Sequence, residues 1–227
     1  MDRDRPTLKV CCISDLDEAR IAIAAGASAL GLVSAMPSGP GVIDEARIAQ
    51  IAAGVPPTID TFLLTSQQRA DTIAEQHRRC RTTTLQLVDH VPHDELRRLR
   101  DALPGIRLVQ VIHVTDERSV DEAAAVAPFV DAILLDSGNP ALAVKELGGT
   151  GRTHDWSLSR RIRDSIGVPL FLAGGLNAVN VGAAIAAVQP FGLDICSGVR
   201  SDGRLDAHKL GRFVAAVRGP AAGTAVS

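Results

Sequence analysis

Aromatic residues are almost missing from this chain of 227 residues: no tyrosine, one tryptophan and five phenylalanines, 3% in all. Its interior must therefore be aliphatic, and the 46% hydrophobic content, rich in Ala, Val, Ile and Leu, is enough to build it. Without aromatic residues interleaved with basic ones, and with a net charge of -2, a nucleic-acid surface is excluded. Cysteine is also scarce. Cys11, Cys12, Cys80 and Cys196 have no zinc-type spacing and fall short of the density of a disulfide scaffold. Cys11 and Cys12, adjacent on a strand, are expected to point to opposite faces and not to form a pair. No apolar run approaches the roughly 20 residues that cross a bilayer, so no membrane partner is expected. The opening Met1-Asp2-Arg3-Asp4-Arg5-Pro6 lacks an apolar signal core, which predicts a cytoplasmic address. No linker, low-complexity tract or charge block divides the chain.

Short apolar segments at 8–13, 29–34, 58–64, 83–88, 107–113, 131–136, 168–173 and 192–196 read as buried strands. Between them, helical patterns lie near 15–26, 44–53, 67–78, 92–102, 116–127, 155–166, 178–188 and 205–218. Eight βα units of this kind predict an α/β fold, a single (β/α)₈ TIM barrel over 1–219 with a flexible tail at 220–227. Ser14 and Asp17 have capping-box spacing before the first helix. Asp44 is expected to open the second helix and Asn177 the seventh, with Gly26 and Gly54 at helix C-caps. Trp156 is expected to anchor the sixth helix, and His77, His90, His93, His154 and His208 to be solvated.

In such a barrel the reactive groups stand at the C-terminal ends of the strands. Cys11 and Cys12 end the first, His113 the fifth and Asp136 the sixth. Gly174-Gly175 and Ser197-Gly198 end the seventh and eighth, where bare backbone amides can cradle a phosphate. The segment Ser137–Thr153 is long for a βα connection and carries Gly148-Gly149-Thr150-Gly151, as a lid or binding loop would. It is not a P-loop, because no Gly-Lys-Ser/Thr follows. Each residue also has a plain structural reading. A cysteine in an apolar strand is commonly a small core residue. Paired glycines make tight turns, and Asp194 and His113 can be structural. A carboxylate ending a buried strand at the active face, such as Asp136, points more strongly to chemistry.

Taken together, these segments resemble one known family. Lys9-Val10-Cys11-Cys12-Ile13 is similar to the Lys-Ile-Cys-Gly-Ile start of phosphoribosylanthranilate isomerases, and Gln86-Leu87 stands where that family has Gln-Leu-His-Gly. Leu134-Leu135-Asp136 with Gly148–Trp156, Leu172–Asn177 and Asp194–Val199 resemble its Leu-Leu-Asp, Gly-Gly-Thr-Gly-Lys-Thr-Phe-Asp-Trp, Leu-Ala-Gly-Gly-Leu and Asp-Val-Ser-Ser-Gly-Val segments, in order. The resemblance implies an Amadori rearrangement in tryptophan biosynthesis, turning an N-(5'-phosphoribosyl) arylamine into an aminoketose. It implies Cys11 as general base and Asp136 as general acid. Phosphate contacts are then expected at Gly149, Gly151, Gly174, Gly175, Ser197 and Gly198, with Lys9, Gln86 and Arg152 as further substrate contacts. The implied partner is a phosphorylated sugar. No metal or organic cofactor is called for, and a monomer or homodimer is expected.

The chain departs from the pattern at Cys12, where the family has Gly, and at Val88-Asp89, where it has His-Gly. Met36–Gly41 replaces a Pro-Lys-Ser-Pro-Arg loop, so the arginine used against the anthranilate carboxylate falls at Gly41. Arg200 replaces a glutamate. These changes leave two rival expectations: a paralogue acting on another arylamine, or a non-catalytic phosphometabolite-binding barrel. Loss of the family arginine at Gly41 predicts a poor KM for phosphoribosylanthranilate, improved by Gly41→Arg if the loop folds as in the family; the alternative is compensation by Arg152, Arg200 or Arg204.

Overall fold

The computed structural model describes residues 6–138, 151 and 153–219. Eight strands form the barrel: β1 (Thr7–Val10), β2 (Ala29–Val33), β3 (Asp60–Thr65), β4 (Thr84–Leu87), β5 (Arg107–His113), β6 (Ala132–Asp136), β7 (Leu170–Leu172) and β8 (Gly192–Ile195). They pair in parallel in chain order and close through β1 on β8, as the eight βα repeats predict. The helices are α1 (Leu16–Ala24), α2 (Glu45–Gly54), α3 (Ala70–Cys80), α4 (His93–Ala102), α5 (Arg118–Val126), α6 (Trp156–Ser165), α7 (Val181–Val188) and α8 (Ala207–Arg218).

Strand alternation divides the core in two. Outward residues such as Leu85, Leu87, Ile133, Leu135, Leu170, Leu172, Leu193 and Ile195 pack under the helices. Inward residues such as Phe62, Leu64, Val109, Val111, Ala132, Leu134, Phe171 and Ala173 fill the bore. The same parity aims Lys9, Cys11, Gln86, His113, Asp136 and Asp194 inward. An apolar strand that keeps a polar residue on its inward face therefore delivers it to the barrel axis.

Several boundaries differ from the sequence reading. β1 stops at Val10 because Cys12 has a left-handed backbone (φ 63°), which ends the extended ladder. The capping box of α1 is set by Asp15, not Ser14: Asp15 accepts from the Glu18 amide, and Glu18 accepts from the Ser14 amide at 3.1 Å. Asn177 does not open α7. Its side chain accepts from the amides of Val179 and Asn180, making a turn before the helix begins at Val181. Gly26 follows the C-cap of α1 with φ 103°, whereas Gly54 is the last residue of α2. A small hairpin, β9 (Arg200–Ser201) and β10 (Arg204–Leu205), precedes α8. Its turn is Asp202-Gly203, both at positive φ, the backbone such two-residue hairpins require. Trp156 starts α6 half-buried against the core. The segment 220–227 lies outside the described residues.

Candidate active site

An open cavity lies at the C-terminal mouth of the barrel. Cys11, Gln86, Asp136, Gly151, Gly174, Gly175 and Ser197 all line it, arriving from the ends of five strands, β1, β4, β6, β7 and β8. Gly198 stands immediately behind Ser197 in a single 3₁₀ turn, Ser197–Val199. Lys9 lies one layer deeper and is fully buried. Gly149 and Arg152 fall outside the described residues.

The base of the cavity holds more charge than the strand-end reading anticipated. Lys9 Nζ donates to Asp194 Oδ2 at 2.8 Å. Burial works against the Lys9 charge, but Asp194 and the nearby thiols outweigh it, and its pKa is raised. Gly31 makes this packing possible: a Cβ there would lie 2.6 Å from Cys11 Sγ and 2.9 Å from Lys9 Nζ. The Lys9 ammonium and the Cys11 thiol thus share the space that a side chain would take. Sequence alone allows Asp194 both a structural and a site reading. It fills both roles, since Oδ2 holds Lys9 while Oδ1 is buried without a partner and its residue lines the cavity.

Asp136 is buried at the end of β6. Burial pushes its pKa up, against the Ser137 amide that donates to it at 2.7 Å and the neighbouring His113. A carboxyl group raised in this way retains its proton to higher pH, as a general acid requires. His113 pairs with Asp136 in register, and its Nε2 donates to the Val88 carbonyl at 3.0 Å, leaving Nδ1 unpartnered. His154 is not solvated as expected. Its Nε2 meets Ser159 Oγ at 2.8 Å, and burial brings its pKa down to about 4, so the ring is neutral at pH 7.

The two glycine turns form one structure. Gly174 and Gly175 have φ 81° and 62°, a backbone that glycine adopts without strain. A Cβ on Gly174 would come within 3.0 Å of His154 Nδ1 and 3.1 Å of Ser137 Oγ. A Cβ on Gly198 would lie 2.1 Å from the Leu176 carbonyl oxygen, so the turn after β8 rests directly on the backbone of the turn after β7. Gly151 (φ 70°) comes down beside them, with its Cβ direction 3.7 Å from Ser197 Oγ. Gly198 is therefore small because backbone touches backbone there, and Gly174 because the His154 and Ser137 side chains close over it.

The opposite wall differs from the expectations at three points. Cys12 does not turn away from the mouth. Its left-handed φ rotates its side chain into the cavity wall, where Sγ lies 2.7 Å from Cys196 Sγ. Gly41 (φ 77°) packs on the same residue, and a Cβ there would lie 2.5 Å from Cys12 Cβ. An arginine at Gly41 would therefore meet both a left-handed backbone and the Cys12 side chain, a loop unlike the one the expected improvement assumes. Arg200 is also not a free cation for a substrate carboxylate. Its guanidinium is bound to Glu18 at 3.2 Å, to the carbonyls of Cys11 and Cys12 and to the Gly203 carbonyl at 2.9 Å. It fixes the loop after β1 to the β9–β10 hairpin. Burial alone would raise the Glu18 pKa, but Arg200 and the Leu205 and Ser14 amides lower it. Arg204 is exposed and reaches Asp15.

A model of N-(5'-phosphoribosyl)anthranilate isomerases matches residues 8–216. The chain belongs to that family. It is 34% identical to the N-(5'-phosphoribosyl)anthranilate isomerase of Methanocella arvoryzae, covering 93% of this chain and 97% of the relative. It is 37% identical to that of Acidithiobacillus ferrooxidans, over 93% and 97%. Among solved structures, the phosphoribosylanthranilate isomerase of Thermotoga maritima superposes with a TM-score of 0.81 at 29% identity, covering 95% of this chain and all of that one. Another, a phosphoribosylanthranilate isomerase in complex with reduced 1-(o-carboxyphenylamino)-1-deoxyribulose 5-phosphate, gives 0.79 at 27% identity over 95% of this chain. The chain is thus an isomerase-family (β/α)₈ barrel. Among its described residues no helix is long and apolar enough to cross a membrane. The strand-end motifs make the family legible, but they leave Asp194 and His113 with a plain structural reading, place His154 in solvent and do not indicate the Cys12–Cys196 contact. Inward parity alone could have flagged Asp194 and His113, since each shares its strand face with bore residues.

Proposed function

We propose that this chain converts N-(5'-phosphoribosyl)anthranilate to 1-(o-carboxyphenylamino)-1-deoxyribulose 5-phosphate, with Asp136 as general acid and Cys11 as general base. The observation that carries this reading is a convergence. The Asp136 carboxyl and the Cys11 thiol line one cavity, and both glycine turns flank the same mouth. Asp136, whose burial favours the protonated form, gives its proton to the ribose ring oxygen as the ring opens to an iminium. Cys11, as thiolate, takes the C2' proton, and the resulting enolamine tautomerises to the aminoketone. One proton is given and one taken, so the reaction is a net isomerisation without a redox partner. Lys9, held by Asp194 beneath Cys11, supplies a fixed positive charge where the thiolate forms. The amides of Gly174, Gly175, Ser197 and Gly198 hold the phosphate, and Gly149 and Gly151 serve as further phosphate contacts. Gln86, whose buried Oε1 has no protein partner, and Arg152 complete the substrate contacts.

Steady-state turnover of phosphoribosylanthranilate tests the activity, and no turnover by the wild type would refute it. Cys11→Ala and Asp136→Asn should each lower kcat by about 10²–10⁴-fold, the usual contribution of a general acid or base. The Kd of the reduced product analogue should remain nearly constant. Wild-type kcat in either variant would remove that residue from its role.

A further inference from the structure

We propose that Cys12 and Cys196 form a peroxide-responsive dithiol at the mouth of the barrel, and that its closure to a disulfide reversibly switches off the adjacent site. The two residues are 184 positions apart in sequence, yet their sulfurs lie 2.7 Å apart, against about 2.05 Å in a formed disulfide. The backbone independently favours the bond. β1 and β8 are neighbours with Val10 opposite Ile195, and the Cys11 amide donates to the Ile195 carbonyl at 2.8 Å. That register sets Cys11 opposite Cys196 just past the ladder, with Cys12 one residue further on. The left-handed φ of Cys12 then turns its side chain across to the other strand.

The two thiols are not equivalent, as a reactive and a resolving cysteine should not be. Cys196 is half-exposed in the cavity wall, whereas Cys12 is buried. Cys12 hydrogen-bonds the Cys196 sulfur, and Arg200 lies nearby, so the Cys196 pKa is lowered although its partial desolvation opposes this. Contact with Cys11 and Cys196, together with burial, raises that of Cys12. The Cys196 thiolate is the group that meets a peroxide. Its sulfur takes one peroxide oxygen and becomes a sulfenic acid, releasing the other oxygen as water. The Cys12 thiol then attacks that sulfur, the S–S bond forms and the hydroxyl leaves as a second water. In sum, two thiols and one peroxide give one disulfide and two waters. No metal competes for these groups, since no three His, Cys, Asp or Glu side chains among the described residues converge as ligands.

The switch reaches the site through two contacts. With both thiols protonated, Cys196 donates to Cys12, and Cys12 donates to the Pro40 carbonyl at 3.6 Å. The disulfide removes that donor and so releases the loop after β2 from the cavity wall. It also ties down the residue directly before Ser197, on the phosphate side.

The test is a hydrogen peroxide titration of the full chain, quenched by alkylation under denaturing conditions and read by intact mass and tryptic mapping. The expected product has lost two hydrogens and joins the peptides 10–20 and 164–200 through Cys12 and Cys196, assigned by fragmentation. Isomerase activity should fall with the bridged fraction and return on addition of dithiothreitol. Cys196→Ser should form no bridge and show no reductant-reversible loss. A link through Cys11 or Cys80, oxidation only to sulfinic or sulfonic acid, or a bridged protein with full activity would each overturn the proposal. The mass readout does not depend on the substrate, so it stands even if the proposed isomerisation fails.

Discussion

The contact between the two phosphate-side turns is tested most sharply by adding one methyl group. In Gly198→Ala the new Cβ would stand 2.1 Å from the Leu176 carbonyl oxygen, a backbone atom that cannot rotate away. The turns after β7 and β8 must separate by roughly 1 Å, and a misplacement of that size can change catalysis on the order of 10²-fold. Overpacking of this kind costs about 1–3 kcal/mol. At about 2–4 °C per kcal/mol for a chain of this size, Tm should fall by roughly 2–12 °C. If the amides on both turns share one phosphate, losing one charge-assisted hydrogen bond of about 1.5–3 kcal/mol raises KM by about ten- to over a hundredfold. The control is the same substitution at Gly211, in the interior of α8 with nothing within 4 Å of its Cβ direction. Gly211→Ala should raise stability by up to about 1 kcal/mol and leave KM unchanged. The assays are thermal unfolding and steady-state kinetics on phosphoribosylanthranilate, with calorimetry on inorganic phosphate. A Gly198→Ala protein with wild-type Tm would refute the packing. One that is destabilised but has unchanged KM and phosphate affinity would refute the shared phosphate.

Asp136→Asn should stabilise the protein at neutral and alkaline pH. The folded pKa of Asp136 is raised, so its contribution to stability is full below the unfolded carboxylate pKa and is lost as pH rises through the folded value. Urea unfolding across pH would show the variant's advantage vanishing in acid, and a pH-independent difference would contradict the assignment. Gly41→Arg should lower Tm without improving KM, because the site has positive φ and meets Cys12 Cβ at 2.5 Å; a lower KM on phosphoribosylanthranilate would show that the loop after β2 opens. Arg200→Met should cost about 3–5 kcal/mol in denaturant unfolding by leaving the buried Glu18 unpaired, where Arg200 and Glu18 side chains are only 8% and 2% exposed. A near-neutral result would mean that Glu18 takes up its proton at little cost.

Fold class was legible in the sequence because a buried parallel strand must be apolar on both faces and short, and eight such runs alternate with helical periodicity. The strand-end positions of Cys11, Asp136, Gly174 and Ser197 followed from that register alone. Helix starts were legible to within a few residues, since Asp15 and Asn180 compete with Ser14 and Asn177 as neighbouring polar residues. What the sequence could not decide is set by contacts between distant segments. The opposite-face rule for Cys11 and Cys12 assumes extended backbone, and it fails because Cys12 is left-handed where the loop after β2 packs on it. Arg200 reads locally as a free cation, but Glu18, 182 residues away, holds it. His154 looked like a loop histidine until the fold buried it against Ser159 and Gly174. Local hydrophobic pattern specifies which residues form strands and which way they face. Which polar groups find each other at the barrel mouth depends on closure of β1 against β8, a pairing across nearly the whole chain that no local pattern encodes.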